Sequence, residues 1–172
     1  MKLGIVMDPI QAIHPQKDSS LAMLLEAQRR EWSLFYIEMD DLFLNDGVSY
    51  CRTHPLQVVD GLKQWYPLGD QQEIALSELD VILMRKDPPL DREYLYATHL
   101  LELAEQKGTL VVNRPQSLRD FNEKLATAWF PALAPPSLVT RNASQIRQFL
   151  EHHQDIILKP LDAMGGASIF RL

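Results

Sequence analysis

The residues with the clearest chemical potential stand near the end of the sequence, in "IILKPLDAMGGAS". An apolar stretch leads to Lys159, and Asp162 and two adjacent glycines follow it. A lysine at the end of a strand can place its ammonium beside a phosphate, while small residues let backbone N–H groups cover phosphate oxygens. The pattern predicts either a phosphate-binding loop or a plain β-hairpin with a surface lysine.

A second candidate group is "RKDPP" at residues 85–89. The segment before it is apolar through Met84, and the chain then changes abruptly to Arg85, Lys86 and Asp87. Ligands of open α/β sheets bind beyond the carboxyl ends of the strands, where Arg85 can hold a carboxylate through two parallel hydrogen bonds. The alternative is a solvated strand end that two prolines make rigid.

Three common nucleotide and metal motifs are absent from the sequence. The first strand is followed by "DPIQAIHPQ", which has no glycine for a dinucleotide pyrophosphate, and GxxxxGK[ST] does not occur. The five histidines have neither HExxH spacing nor paired cysteines beside them. We therefore expect ordinary surface histidines and no metal ligands in this sequence.

Two β-α-β patterns must position these residues. The first consists of the strand "KLGIVMD", a helix in "LAMLLEAQRR" that Asp18 or Ser19 can cap, and the strand "SLFYIEM". The second consists of the strand "DVILMRKD", a helix from about 91 to 107 that Gly108 ends, and the strand "TLVVN". Together they predict a doubly wound, mostly parallel α/β sheet.

The segments outside these two units have weaker patterns. "NDG" at 45–47 predicts a turn, and "VSYCRTHPLQVV" is compatible with hairpin strands. Beyond residue 113 we expect a helix in "NEKLATAWF" capped by Asn122 or Asp120, the strand "SLVT", the helix "ASQIRQFLEHH" and the strand "DIILKPL". We therefore predict two domains, residues 1–120 and an incomplete α+β lobe at residues 121–172.

The composition excludes several classes of function. The net charge is −6, and no stripe of lysine and arginine is available to displace counterions from a nucleic acid. A single cysteine allows no internal disulfide, and no apolar run approaches the roughly 18 residues of a membrane span. The opening "MKLGIVMDPI" is too short for a signal-peptide core, so a cytoplasmic protein is expected.

Taken together, five blocks of the sequence resemble the bacterial glutathione synthetase family of the ATP-grasp superfamily. They are "KLGIVMDPI", "KDSSLAMLLEAQRR", "LDVILMRKDPP", "KGTLVVNRPQSLRDFNEKLATAWF" and "IILKPLDAMGGASIFR". The resemblance implies an ATP-dependent carboxylate-amine ligase that joins glycine to γ-glutamylcysteine through an acyl phosphate. It also implies ATP and Mg²⁺ as cofactors and a homo-oligomer.

The resemblance assigns roles to particular residues. It implies that Lys124 and Lys159 hold ATP phosphates, and that Arg85 contacts the substrate. The loop that closes over the phosphates then contains Asp162, Gly165, Gly166, Ala167 and Ser168. The positions matched to the γ-glutamylcysteine site are Asp8, Asp18 and Ser19.

By the same resemblance, the chain corresponds to about the first half of such an enzyme and is expected to be inactive by itself. The Mg²⁺ ligands are then expected in a C-terminal half that follows Leu172. Two other interpretations remain open: a non-catalytic ATP-grasp remnant that binds substrate or nucleotide, and another ATP-grasp carboxylate-amine ligase.

Overall fold

A computed structural model of the chain describes residues 1–15, 17–59, 65–162, 166 and 168–172. Its strands are β1 (Lys2–Val6), β2 (Ser33–Ile37), β3 (Leu42–Asn45), β4 (Val48–Leu56), β5 (Gln72–Ala75), β6 (Val81–Met84), β7 (Leu110–Val112), β8 (Ile157–Leu158) and β9 (Phe170–Arg171). Its α-helices are α1 (Ser19–Arg29), α2 (Arg92–Glu105), α3 (Pro115–Asp120) and α4 (Ala143–His153). Short 3-10 turns connect several of these elements, at Ile10–Ala12, Met39–Asp41, Leu76–Glu78, Ala126–Trp129 and Pro131–Leu133.

The main sheet has seven strands in the order β3-β4-β2-β1-β6-β7, with β5 paired to β4. The pairs β1 with β2, β1 with β6 and β6 with β7 are parallel. The long strand β4 adds an antiparallel extension, because it pairs in that sense with β2, β3 and β5. The expected α/β sheet with a parallel centre is confirmed, and the hairpin expected around "NDG" is β3-β4.

The two long helices cover opposite faces of the parallel strands. On one face, Leu3 and Ile5 of β1 pack with Leu24 of α1. On the other face, Val6 of β1 packs in the cluster that contains Leu101 of α2. From β1 the chain passes through α1 to β2 on one side of the sheet, and from β6 it passes through α2 to β7 on the other side. The order of strands therefore changes direction between β1 and β6. Such a switch point is where open α/β sheets bind ligands.

Side-chain caps begin both long helices, and the sequence predicts the first of these caps and the glycine after α2. The Asp18 carboxylate accepts the Ser20 backbone N–H at 2.6 Å and begins α1, so Asp18 rather than Ser19 is the cap. The Asp91 carboxylate accepts the Tyr94 N–H at 2.9 Å and begins α2. After α2, Gly108 has a φ of 103°, the left-handed conformation that glycine adopts without steric cost.

Residues 121–172 contain fewer regular elements than the sequence predicts. The expected helix α4 forms, with the Asn142 carboxamide oxygen accepting the Ser144 N–H at 2.9 Å. The expectation of a strand in "SLVT" is wrong, since 137–140 is outside any strand or helix. In the described part of the chain these four residues have no neighbouring strand, and a strand needs one for its backbone hydrogen bonds.

Two more expectations for this region need correction. The strand in "DIILKPL" is only the two residues of β8, because its antiparallel partner β9 is equally short. The helix expected in "NEKLATAWF" is replaced by the 3-10 turn Ala126–Trp129. No side chain caps this 3-10 turn. The Asn122 side-chain oxygen instead accepts the N–H groups of Lys124 and Leu125, at 3.0 and 3.1 Å, in the segment just before it.

The described helices are all too short or too polar to cross a membrane.

Candidate substrate and phosphate site

Arg85 lies at the switch point of the sheet. Its backbone N–H donates to the Val6 carbonyl oxygen at 2.7 Å, which continues the parallel pairing of β6 with β1 by one residue. The ladder therefore places the first charged residue after β6 beside the carboxyl end of β1. This is the position that the abrupt change from Met84 to Arg85 indicates.

The Arg85 guanidinium crosses from β6 to the first turn of α1. Its Nη2 donates to the Ser19 hydroxyl at 2.9 Å, and its Nε donates to the Ser20 hydroxyl at 3.2 Å. Two residues predicted for the substrate side, Arg85 and Ser19, are therefore in direct contact. Sequence reasoning missed Ser20, which is 2% exposed, although two adjacent serines behind a capping aspartate are a visible signal.

Asp8 joins the ends of the two central strands. One of its carboxylate oxygens contacts the Lys86 ammonium at 2.9 Å, and the other accepts the Asp87 backbone N–H at 2.9 Å. Lys86 also donates to the Asp87 carbonyl oxygen at 2.8 Å. Asp8 therefore holds the backbone just after Arg85, whereas Asp18 holds the backbone of Ser20. The contact of either carboxylate with a substrate stays a prediction.

Tyr36, which sequence reasoning missed, also holds backbone at this edge of the sheet. Its buried hydroxyl accepts the Ile10 backbone N–H at 3.0 Å and donates to the Glu38 carboxylate. Burial, and next the hydrogen bond to Glu38, raise the pKa of Tyr36 well above its usual range. The hydroxyl therefore stays protonated and fixes the 3-10 turn Ile10–Ala12 after Asp8.

On the phosphate side, Lys124 reaches the segment that follows Lys159. The Lys124 ammonium donates to the Leu161 carbonyl oxygen at 3.1 Å and to the Glu123 carboxylate at 2.7 Å. The Asn122 side-chain amide donates to the same Leu161 oxygen at 3.1 Å. Two residues far apart in the sequence are thus brought together, whereas the Lys159 side chain is exposed to solvent.

The predicted phosphate loop is described only in part. Asp162, Gly166 and Ser168 are exposed, and the last two have φ values of 82° and 56°. The left-handed conformation is unusual for a serine. Gly165 and Ala167, the other two residues assigned to this loop, lie outside the described residues.

A cleft of about 590 Å³ lies between these two groups of residues. Its lining comes from the loops after β6 and β7, from α2, from α3 and the residues after it, and from the segment after β8: Pro88, Leu90, Tyr94, Asn113, Arg114, Ser117, Leu118, Phe121, Asn122, Glu123, Leu161 and Asp162. The pKa of Tyr94 is raised above its usual value because burial outweighs the opposing effect of the nearby Arg85 charge. Through Tyr94 the cleft adjoins the Arg85 side, and through Asn122 and Leu161 it adjoins the Lys124 side.

The described residues include no group of three or more His, Cys, Asp or Glu side chains placed to hold a metal ion.

Two protein-family models match the chain, one after the other. "Prokaryotic glutathione synthetase, N-terminal domain" matches residues 1–119, and "Prokaryotic glutathione synthetase, ATP-grasp domain" matches residues 123–172. The chain belongs to the prokaryotic glutathione synthetase family. The five-block resemblance is thereby confirmed at the level of the family.

Its relatives include the glutathione synthetases of Photorhabdus laumondii, Salmonella typhimurium and Vibrio vulnificus, which are 64%, 62% and 60% identical to it. Each alignment covers 100% of this chain and 54 to 55% of the relative. The chain therefore spans about half the length of the curated relatives it matches.

Solved structures of ATP-grasp ligases share the fold. The ATP-grasp ligase PsnB, in complex with a minimal precursor, Mg and ADP, superposes with a TM-score of 0.54 at 17% identity. D-alanyl-alanine synthetase A from Vibrio cholerae superposes with a TM-score of 0.52 at 16% identity. These matches cover 99% of this chain and 57% and 52% of the other chains. At this identity the likeness shows the fold alone.

Proposed function

We propose that this chain supplies the substrate domain and the beginning of the ATP-grasp domain of a glutathione synthetase. The reaction is the ATP-dependent joining of glycine to γ-glutamylcysteine. One observation carries the proposal: Ser19 and Ser20 hold the Arg85 guanidinium at the switch point of the sheet. This sheet lies in the part of the chain that matches the N-terminal domain of prokaryotic glutathione synthetase.

The proposed chemistry begins with a carboxylate, which is a poor electrophile. Transfer of the γ-phosphoryl group of ATP to one cysteinyl carboxylate oxygen gives an acyl phosphate and ADP. The glycine amine then attacks the acyl carbon, loses a proton, and the C–O bond to phosphate breaks. On this proposal Arg85 binds and orients a carboxylate of γ-glutamylcysteine, since guanidinium and carboxylate groups match in charge and geometry.

Lys124 and Lys159 are proposed to neutralise phosphate charge, which phosphoryl transfer requires. Support comes from the contact of Lys124 with Leu161, two residues beyond Lys159. The loop of Asp162, Gly165, Gly166, Ala167 and Ser168 is proposed to cover the phosphates and exclude water, because an acyl phosphate hydrolyses readily. We assign no step to Mg²⁺ on these residues.

Three further expectations belong to the same proposal. The boundary between the substrate domain and the ATP-grasp lobe falls between residues 120 and 121, close to the gap between the two family matches. A cytoplasmic location suits an enzyme that consumes ATP. A homo-oligomer is expected from the family and is tested by the mass of the purified protein in solution.

Substrate binding tests the Arg85 assignment directly. Titration of residues 1–172 with γ-glutamylcysteine should give saturable binding, and Arg85→Ala should weaken it by about tenfold or more, since a hydrogen-bonded ion pair is lost. Arg52→Ala is the matched control, because Arg52 lies on β4 over the Phe43 ring. Equal affinity of Arg85→Ala and the parent chain would remove Arg85 from the substrate site.

Turnover tests the phosphate assignments in a chimera. Residues 1–172 would be joined to the part of the Photorhabdus laumondii relative that lies beyond the match. The folded chimera should form glutathione from ATP, γ-glutamylcysteine and glycine, and Lys124→Ala or Lys159→Ala should reduce kcat/KM by about 100-fold. Lys107→Ala, an exposed change after α2, is the control. The same assay on residues 1–172 alone tests the expectation that they are inactive by themselves.

A further inference from the structure

We propose that Arg85 receives a substrate carboxylate only on the edge formed by its two terminal nitrogens, and that Ser20 is the positioning residue that imposes this edge. The inference deepens the proposed function and rests on it. It concerns how Arg85 is used, which neither the family match nor the fold specifies.

A guanidinium has two edges on which two N–H groups point in parallel. One edge consists of Nε–H and one N–H of Nη2, and the other consists of one N–H each from Nη1 and Nη2. A carboxylate can bind to either edge through two hydrogen bonds. Which edge is available therefore decides where the carboxylate lies relative to the strand.

In this structure the two serines occupy the first edge. Ser20 accepts from Nε and Ser19 accepts from Nη2, at 3.2 and 2.9 Å. Within the described residues, the Arg85 side chain has no other hydrogen-bond partner or ion pair. The edge between Nη1 and Nη2 is therefore the one left for a ligand.

The two serines differ in how firmly they are held. Ser20 is 2% exposed, and its backbone N–H is bound by the Asp18 carboxylate that begins α1. Ser19, the first residue of the helix, is exposed. The Ser20 hydroxyl is thus the more firmly held contact, and a carboxylate cannot bind the first edge without breaking the part-buried hydrogen bond between it and the Arg85 Nε–H.

The arrangement also restricts what can replace Arg85. A lysine has three donors on one nitrogen and no second edge, so it cannot bond the serines and present a bidentate surface to a carboxylate at once. Arg85→Lys should therefore lose nearly as much affinity for γ-glutamylcysteine as Arg85→Ala, despite keeping the charge.

The test follows the arginine nitrogens by NMR in ¹⁵N-labelled residues 1–172 during titration with γ-glutamylcysteine. Signals of the Arg85 Nη groups should change on binding, while its Nε–H signal stays close to its position in the free protein. A change of the Nε–H signal as large as that of the Nη signals would overturn the inference and leave the proposed function intact. Binding that leaves every Arg85 signal in place would overturn both the inference and the substrate role of Arg85.

Variants of the two serines give a second, independent measurement. Ser20→Ala should raise the Kd for γ-glutamylcysteine about tenfold and shift the Nε–H signal in the free protein, whereas Ser19→Ala should raise the Kd about threefold. Ser20→Thr, which keeps the hydroxyl, should restore much of the affinity. If Ser20→Ala is folded and binds as tightly as the parent while Arg85→Ala does not, the positioning role is refuted and the substrate role of Arg85 stands.

Discussion

Residues 1–120 and residues 121–172 differ in where their apolar side chains lie. All of the buried hydrophobic side chains in the two core clusters of the described chain lie between Leu3 and Val111. Among the residues that the structure describes, more than half of the large exposed hydrophobic side chains lie between Phe121 and Leu172. Leu101 is 0% exposed, for example, and Leu133 is 86% exposed.

The difference follows from layers rather than from composition. The first region has a sheet covered on both faces by α1 and α2, so a central strand such as β1 is buried on both sides and each helix buries one apolar side. The second has a two-stranded hairpin, one long helix and short 3-10 turns, which offer no second layer. From this contrast we expect residues 1–120 to contribute most of the stability and the described residues of 121–172 to contribute little.

The largest expected difference between the two regions is in the reactivity of a thiol placed in each. Cys51 lies in the core, where burial raises the pKa of its thiol to about 12. It should react with a thiol reagent only when the first region unfolds. We expect Cys51 to react at least about 1,000-fold more slowly than the thiol of Leu133→Cys in a Cys51→Ala background.

The rates would be measured by the colour released from a disulfide reagent. In concentrated urea the two thiols should react at similar rates, which controls for the local sequence. Native-state rates within tenfold of each other would mean that the core around Cys51 opens as readily as the exposed region.

A leucine truncated in each region gives the next largest difference. Leu101→Ala should lower the free energy of unfolding by about 3 kcal/mol, since it removes buried methyl groups and leaves a cavity. Leu133→Ala should change it by less than about 0.5 kcal/mol, because the side chain is exposed. Urea unfolding measures both values, and a comparable loss for the two variants would contradict the assignment of stability to the first region.

The same contrast explains which parts of the fold could be predicted. The parallel strands, α1 and α2 were predictable because apolar periodicity coincides there with capping residues such as Asp18 and Asp91. The segment 137–140 has the residues of a strand, but pairing rather than propensity decides whether a strand forms. A local sequence pattern cannot show whether a partner strand lies beside the segment.

The candidate site was predictable to a similar extent. The change from Met84 to Arg85 and the lysine of "ILKP" mark strand ends in the sequence itself. Ser20 and Tyr36 were missed because their roles depend on partners 65 and 26 residues away. A local sequence pattern does not identify hydrogen-bond partners so far apart in the chain.

The caps of α1 and α4 give a smaller test. Both helices begin with a side chain that accepts a backbone N–H, Asp18 and Asn142 respectively. Each change to alanine should cost its helix about 1 kcal/mol. In amide hydrogen exchange, Asn142→Ala should accelerate α4 amides alone, whereas Asp18→Ala should accelerate α1 and the strands packed on it.

Gln148→Ala, an exposed change in the middle of α4, is the control for the second cap. If Asn142→Ala also accelerates amides in α2, the two regions unfold as one unit and the comparison is wrong.

The smallest expected effect concerns exposed ion pairs in the two regions. Hydrogen bonds from Arg29 and then Arg30 lower the pKa of Glu26 to about 2, and Arg171 lowers the pKa of Asp155 in the same way. A lowered pKa in the folded state means that the pair stabilises the protein above the unfolded pKa. For Glu26 this contribution is lost as the pH falls from about 4.5 towards 2.

NMR titration of the Glu26 side-chain carboxyl carbon would measure its pKa, with an ordinary value as the result that contradicts the pairing. Added salt at about 1 M should move the pKa back towards 4.5, because exposed charges are screened. The pair of Asp155 with Arg171 joins residues 16 apart in the sequence, at the ends of β8 and β9. Asp155→Asn should therefore loosen this pair of strands, which faster hydrogen exchange of the Leu172 amide would show. Glu26→Gln acts within one turn of α1 and should leave the exchange of every strand unchanged.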